Sequence, residues 1–277
     1  MKKIFEMMGI LTLVIFSFFV RDKTVSVMKD SDEIMINIKQ NYQKYNQKSE
    51  NAIVSKNTII PGIKGRKVNI NKSYQKMREY GKYNDQLYVY DYNNPKISID
   101  NNKDKVIING NKKYRQVSII VLLNDDSNID NLIKIANDND IKLNFFVTDD
   151  WLLTNNTFSL KIIKEGHTIG INNKMDYQSS EVKWMDTIIK RVGKQKHNYC
   201  LYKKESNCFH LNNYTIKPII INNNYLLNVQ DKISNGNMFL FNNTNTFNEE
   251  LISIIRYINT KGYDIVSLNK LISEQPL

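Results

Sequence analysis

Proline and glycine are scarce in this 277-residue sequence, at 4 and 10 residues. With 41% hydrophobic and 10% aromatic residues, that scarcity argues against a mainly disordered chain. The chain has enough apolar surface for one large core or two small ones. Cysteine is limited to Cys200 and Cys208. Their spacing is not that of a C-x-x-C zinc or redox site, which argues against a metal held through sulfur. The pair forms either a short-loop disulfide in an exported chain or two free thiols in the core. No apolar run reaches the roughly 20 residues of an ordinary membrane-spanning helix.

Acidic residues are outnumbered, and the net charge is +11. The lysines are scattered singly among asparagines instead of forming an arm or a helical stripe, so no nucleic-acid partner is expected. The longest apolar stretch is terminal. Lys2 and Lys3 precede a run from Met7 to Val20, closed by Arg21, Asp22 and Lys23. Ile4 and Phe5 extend the run and flanking lysines can snorkel, so a membrane anchor remains within reach. The sequence Phe18-Phe19-Val20-Arg21 offers none of the small residues that signal peptidase requires. An uncleaved N-terminal anchor over residues 1–23, with the rest of the chain outside the cytoplasmic membrane, is therefore expected over a cleaved signal.

Residues 24–58 are polar and read as a stalk, partly helical at most. Residues 59–114 read as a small α+β appendage, with Ser73–Tyr80 helical and strands at Leu87–Tyr90 and Val106–Ile108. From residue 115 to 277 a strand–helix rhythm takes over. Val117–Leu123 is a continuous apolar run of strand length, as expected for a strand buried on both faces of a parallel sheet. Further strands are expected at Ile141–Val147, His167–Ile171, Ile219–Ile221, Met238–Phe241 and Asp264–Val266. Between them lie helices capped by Thr157, by Ser179 or Ser180, and by a capping box at Thr246–Glu249. Such alternation predicts an α/β domain whose site lies beyond the carboxyl ends of the strands.

Polar groups stand at three of those ends: Asp125-Asp126, Asn172 with Asp176, and Asn242-Asn243. In order, the segments Leu123-Asn124-Asp125-Asp126-Ser127, Lys142-Leu143-Asn144-Phe145-Phe146-Val147, Glu165-Gly166-His167-Thr168-Ile169-Gly170-Ile171-Asn172, Leu240-Phe241-Asn242 and Lys261-Gly262-Tyr263-Asp264-Ile265-Val266 resemble a known family. It is the polysaccharide deacetylase family, the NodB-homology or carbohydrate esterase 4 domain. The resemblance spans roughly residues 115–272 and implies a deformed (β/α) barrel. It also implies metal-dependent hydrolysis of acetyl groups on glycans such as peptidoglycan or chitin-like chains.

By that resemblance Asp125 stands where the general base activates a metal-bound water, and Asp126 where the carboxylate ligand sits. The family's two histidine ligands are replaced by Asn172 and Asp176, and its later histidine, an acid or transition-state donor, by Asn242. Zinc chemistry needs neutral imidazoles beside one carboxylate, with one position left open. A neutral amide oxygen is a poor zinc ligand, and the set Asp126, Asn172, Asp176 is oxygen-only. It would suit a weakly held harder cation or no metal at all. The family's Arg-Pro-Pro segment has no counterpart near Tyr199–Lys204. His167 falls in the Glu-Gly-His motif at a position that the resemblance makes structural, and His197 and His210 lie outside any motif.

Two functions follow from this reading. One is an envelope-anchored, deacetylase-like protein whose degraded site binds cell-wall glycan. The other is a working metal-dependent hydrolase with an unusual ligand set, including a histidine brought in from elsewhere. A membrane-tethered protein whose barrel only supports the appendage is a third.

Overall fold

The computed structural model describes residues 15–17, 27–124, 127–172, 179–194, 197–203 and 211–276. The chain divides into two units, a smaller one ending at Ser49 and resuming over Gly65–Asn93, and a larger one from Glu50–Lys64 and Asn94 onward. This partition follows contacts and differs from the boundaries expected from sequence. The polar segment 24–58 is not simply a stalk. Its helix Glu33–Asn41 is capped by Asp32, whose carboxylate accepts from the Ile34 N–H. Met35 and Ile38 fall on one face of that helix and are buried with Val68, Tyr74, Met77 and Tyr88. Sparse apolar residues at helical spacing are enough to close a small core. Helix Ile70–Tyr80, capped by Asn69, packs against the first helix. An antiparallel ribbon of Gly65–Val68 and Tyr90–Asn93 completes the smaller unit.

The larger unit carries, in chain order, strands β1 (Ile53–Ser55), β2 (Thr58–Ile60), β3 (Val106–Ile107), β4 (Gln116–Leu123), β5 (Asn144–Val147), β6 (Thr168–Ile171), β7 (Tyr199–Leu201), β8 (Tyr214–Ile216), β9 (Ile219–Ile221), β10 (Met238–Asn242) and β11 (Asp264–Ile265). Its helices are α1 (Ile129–Asp138), α2 (Asp149–Thr154), α3 (Asn156–Lys164), α4 (Ser180–Gly193), α5 (Tyr225–Lys232), α6 (Asn245–Thr260) and α7 (Leu268–Leu271). One sheet runs in the order β1-β2-β3-β8-β7-β6-β5-β4-β10-β9, with β11 beside the start of β4. Apart from the β1–β2 hairpin, every pair is parallel. The sheet curls into a half barrel, in line with the deformed barrel that the family resemblance of residues 115–272 implies. Strands β1–β3 enlarge it from a part of the sequence read as stalk and appendage.

β4 shows why the sequence folds this way. Val117, Ile119, Val121 and Leu123 face the layer of helices, packing with residues such as Leu132, Phe241 and Leu251. Ile120 and Leu122 point to the inner face, which is filled by Phe146, Met238, Leu240 and the C-terminal Leu268 and Leu271. Each such burial stabilises by about 1.5–3 kcal/mol relative to exposure, and both faces of the strand contribute. Gly170 in β6 belongs to the same packing, because a Cβ there would overlap the Phe146 ring. Asn144, fully buried on β5, donates to the Ile119 carbonyl at 2.9 Å and accepts from the Leu268 N–H at 2.8 Å, pinning α7 to the sheet. Its polar atoms are thus satisfied inside the core.

Several caps differ from expectation. Thr148 caps the short helix α2, accepting from the Trp151 N–H, and α3 starts at Asn156, before Thr157. Thr244, two residues ahead of the expected Thr246, caps α6 through the Phe247 N–H. At α6 a neighbouring threonine reaches the exposed N–H first, whereas the N-cap of α3 is Asn155, which makes no side-chain capping bond. Cys200 on β7 is buried and disulfide-bonded. The chain's other cysteine, Cys208, lies outside the described residues.

Candidate functional site

Four neighbouring strands end on one rim. Leu122 of β4 is level with Asn242 of β10 on one side and Phe146 of β5 on the other, and Phe146 is level with Gly170 of β6. Asn172 extends this ladder, donating its N–H to the Val147 carbonyl at 2.8 Å. Strand alternation gives Asn242 the same inner face as Leu240, and gives Asn172 the face of Gly170. Three strand spacings separate β10 from β6, or about 14 Å before curvature. The two asparagines therefore bracket the carboxyl rim with β4 and β5 between them.

Asn172 is 7% exposed, and its side-chain amide has no hydrogen-bond partner among the described residues. Asn242 is partly exposed. Asp125, Asp126 and Asp176 lie outside the described residues. The described chain stops at Asn124, just past β4, and resumes at Ser127. Its return is tied down by asparagines, of which the sequence singles out only Asn243 as standing at a strand end. Asn243 donates from its side chain to the Ser127 carbonyl at 2.6 Å and accepts from Asn248 at 2.9 Å. Asn128 bonds Asn245 at 2.9 Å. In a chain rich in asparagine the other three carry no distinguishing sequence signal.

The described histidines are elsewhere. His167 stands before the amino end of β6, five residues ahead of Asn172 and about 16 Å away along the strand direction. Its Nδ1 accepts from the Leu143 N–H at 3.2 Å, and its ring meets Phe145 edge-on at 5.7 Å. His197 lies just ahead of β7, against Lys103 and the Asn212 carbonyl. Neither stands on the carboxyl rim, so neither replaces a lost ligand there. His210 lies outside the described residues. Among the described residues no three histidines, cysteines or carboxylates gather as a metal site. The donor that is in place at the rim, the Asn172 amide, does not fit the imidazole that zinc requires.

Burial, with the Lys142 ammonium nearby, pushes the His167 pKa down to about 4 from 6.5, against a smaller opposing pull from Glu165. The imidazole is therefore neutral in the folded chain at neutral pH. Between those values the unfolded chain binds the extra proton and the folded chain does not. Stability that is complete above pH 6.5 is lost as pH falls toward about 4, by an amount on the order of 2 kcal/mol. His167→Gln keeps an acceptor for Leu143 but does not titrate. Thermal melts of that variant should show a shallower loss across this window than wild type, and parallel curves would refute the assignment.

No model of a known protein family matches the chain. It is 24% identical over 288 residues to YlxY of Bacillus subtilis (strain 168), an uncharacterized protein, covering 92% of this chain and 88% of that one. The wild-type structure of BA3943, a carbohydrate esterase 4 family pseudoenzyme from Bacillus anthracis, superposes with a TM-score of 0.66 at 19% identity. That match covers 89% of this chain and 97% of the pseudoenzyme. A BA3943 mutant with restored enzymatic activity matches equally, with a TM-score of 0.66 at 19% identity over 89% of this chain and 100% of that one. The peptidoglycan N-acetylglucosamine deacetylase Bc1960 matches with a TM-score of 0.54 at 15% identity, over 61% of this chain and 94% of its own. With the strand order, the rim and these likenesses taken together, the chain has the fold of carbohydrate esterase 4, the polysaccharide deacetylase family.

Proposed function

We propose that this is a deacetylase-like protein of the cell envelope that binds cell-wall glycan without removing its acetyl groups. The observation that carries the reading is the pair of neutral amides, Asn172 and Asn242, at the two rim positions where the family places histidines. Asn242 can donate a hydrogen bond, but it cannot supply a proton near neutral pH as imidazole does. A rim of amides still suits sugar hydroxyls and N-acetyl groups. The likeness to a pseudoenzyme over nearly its whole length, and to a peptidoglycan deacetylase over a shorter part, supports the same glycan class. Membrane attachment through the apolar run at residues 7–20 belongs to this proposal. Most of that run lies outside the described residues, and among the described residues no helix is long and apolar enough to cross a membrane.

The test uses the purified chain on isolated peptidoglycan and on chitooligosaccharides, following co-sedimentation, acetate release and bound metal together. Retention on peptidoglycan with no acetate released is the expected result. Stoichiometric metal with acetate release that disappears in Asp125→Ala would establish the hydrolase instead. Neither retention nor release would leave the chain without a glycan role.

A further inference from the structure

We propose that the larger unit carries a second ligand site, away from the rim, that takes a small zwitterion: an amino acid or short peptide with a free ammonium and a free carboxylate. The site is a cleft of two chambers, of about 190 and 330 Å³, whose linings share Lys64, Asp100 and Glu274. Tyr199 and Tyr214, the first residues of β7 and β8, line it as well. It therefore lies at the amino ends of those strands, whereas Asn172 and Asn242 stand at carboxyl ends.

Part of the charge in the cleft is already answered. Asp100 accepts from the Tyr214 hydroxyl and lies 3.9 Å from the Lys103 ammonium. Glu274 and Lys64 are different. Glu274 is 6% exposed, and its Oε1 accepts from the backbone N–H groups of Gly62 at 3.0 Å and Ile99 at 3.2 Å. Its Oε2 has no hydrogen-bond partner among the described residues, yet it is not sealed from solvent. Lys64 is partly exposed and makes no side-chain hydrogen bond or ion pair among the described residues. Its N–H donates to the Glu274 carbonyl at 2.6 Å, so the two residues are fixed side by side although their charged ends do not pair.

A carboxylate this deep is costly unless a positive group meets it. Burial, aided by Asp100, holds the Glu274 pKa above its ordinary value, the two backbone donors and Lys64 pulling less strongly the other way. An ammonium at Oε2 supplies the missing compensation, and a carboxylate does the same for Lys64. One ligand with both groups satisfies both residues, whereas a simple cation or anion meets one charge and is repelled by the other. Ile99, Ile272 and the stacked rings of Tyr199 and Tyr214, 6.0 Å apart, give the cleft an apolar wall for the rest of the ligand.

The test titrates the full chain by calorimetry with alanylalanine, with its N-acetylated form and with its C-terminal amide. Wild type should bind the free dipeptide, and either blocked form about tenfold or more weakly, the worth of one charged hydrogen bond. Glu274→Gln keeps an oxygen for Gly62 and Ile99 and should bring the free dipeptide down to the affinity of the N-acetylated one, with the amide still disfavoured. Lys64→Met should do the reverse. Being a change at a partly exposed residue, it carries the test alone if Glu274→Gln fails to fold. No binding of the free dipeptide by wild type, equal binding of the blocked forms, or unchanged discrimination in the variants would each overturn the proposal.

Discussion

Zinc should be retained in stoichiometric amount when Asn172 and Asp176 are both replaced by histidine, whereas the wild-type chain should lose it on dialysis. The expectation rests on ligand chemistry. Zinc in a catalytic site takes three protein ligands and keeps a fourth position for water, and imidazole nitrogen is among its preferred donors. The wild-type set offers an amide oxygen at Asn172, which neither neutralises charge nor matches the borderline-soft ion. Asn172 already stands on the carboxyl rim, its backbone fixed by the bond to Val147 at 2.8 Å, so an imidazole there projects from a positioned strand end. With Asp126 this would restore one carboxylate and two imidazoles. The gain in affinity should exceed about a hundredfold, the upper end of what removing even an outer-shell partner of a ligand costs. It should fade below about pH 6.5, where protons compete for the imidazoles. Metal analysis after dialysis of wild type, both single variants and the double variant checks this. Equal zinc in wild type, or none in a double variant with an unchanged circular dichroism spectrum, would reject the account of a site that lost its metal through these two positions.

What could be read in the sequence follows from where burial is complete. β4 is visible because both of its faces are covered, so its apolar run is unbroken from Val117 and needs no alternation to mark it. Asn172 and Asn242 are placed correctly at strand ends because the Gly-His-x-Ile-Gly segment and the Met238–Phe241 run fix their registers. The smaller unit is blurred for the opposite reason. Its first helix commits only Met35 and Ile38 to complete burial, and its ribbon is short and mostly exposed. Segment 50–64 leaves that unit to join the sheet of the larger one, a crossing that no local pattern encodes. The cysteines stayed open because spacing alone does not decide pairing. The bonding roles of Asn128, Asn245 and Asn248 are not legible, because a residue type this common signals a turn, a cap and a buried bridge alike.

Asp186→Ala should destabilise the larger unit by about 3–5 kcal/mol, although its side chain is nowhere near the rim's chemistry. Asp186 projects from α4 with its side chain 10% exposed. Its carboxylate accepts from the side-chain amides of Asn198 at 2.7 Å and Asn213 at 2.6 Å, and pairs with Lys190 at 2.7 Å. Both asparagines are fully buried, and the Asn198 N–H in turn bonds the Asn213 side chain at 3.0 Å. Truncation leaves the fully buried Asn213 amide without this acceptor in a place water does not readily reach, and that desolvation cost sets the size of the loss. Lys190→Ala removes only a partly exposed partner, its side chain 25% exposed, and should cost about 1 kcal/mol or less. Asp186→Asn keeps the volume and one acceptor oxygen and should fall between the two. Urea titrations should show a lower midpoint with an unchanged slope, and the melting temperature of Asp186→Ala should drop by about 10 °C. The consequence reaches the rim through the sheet. Asn198 and Asn213 immediately precede β7 and β8, and β7 pairs with β6 at Cys200 and Ile171, next to Asn172. Amide exchange at Cys200 and Ile171 should therefore quicken in Asp186→Ala beyond what the global loss explains. If exchange there tracks global unfolding alone, the network stabilises the unit without positioning the rim.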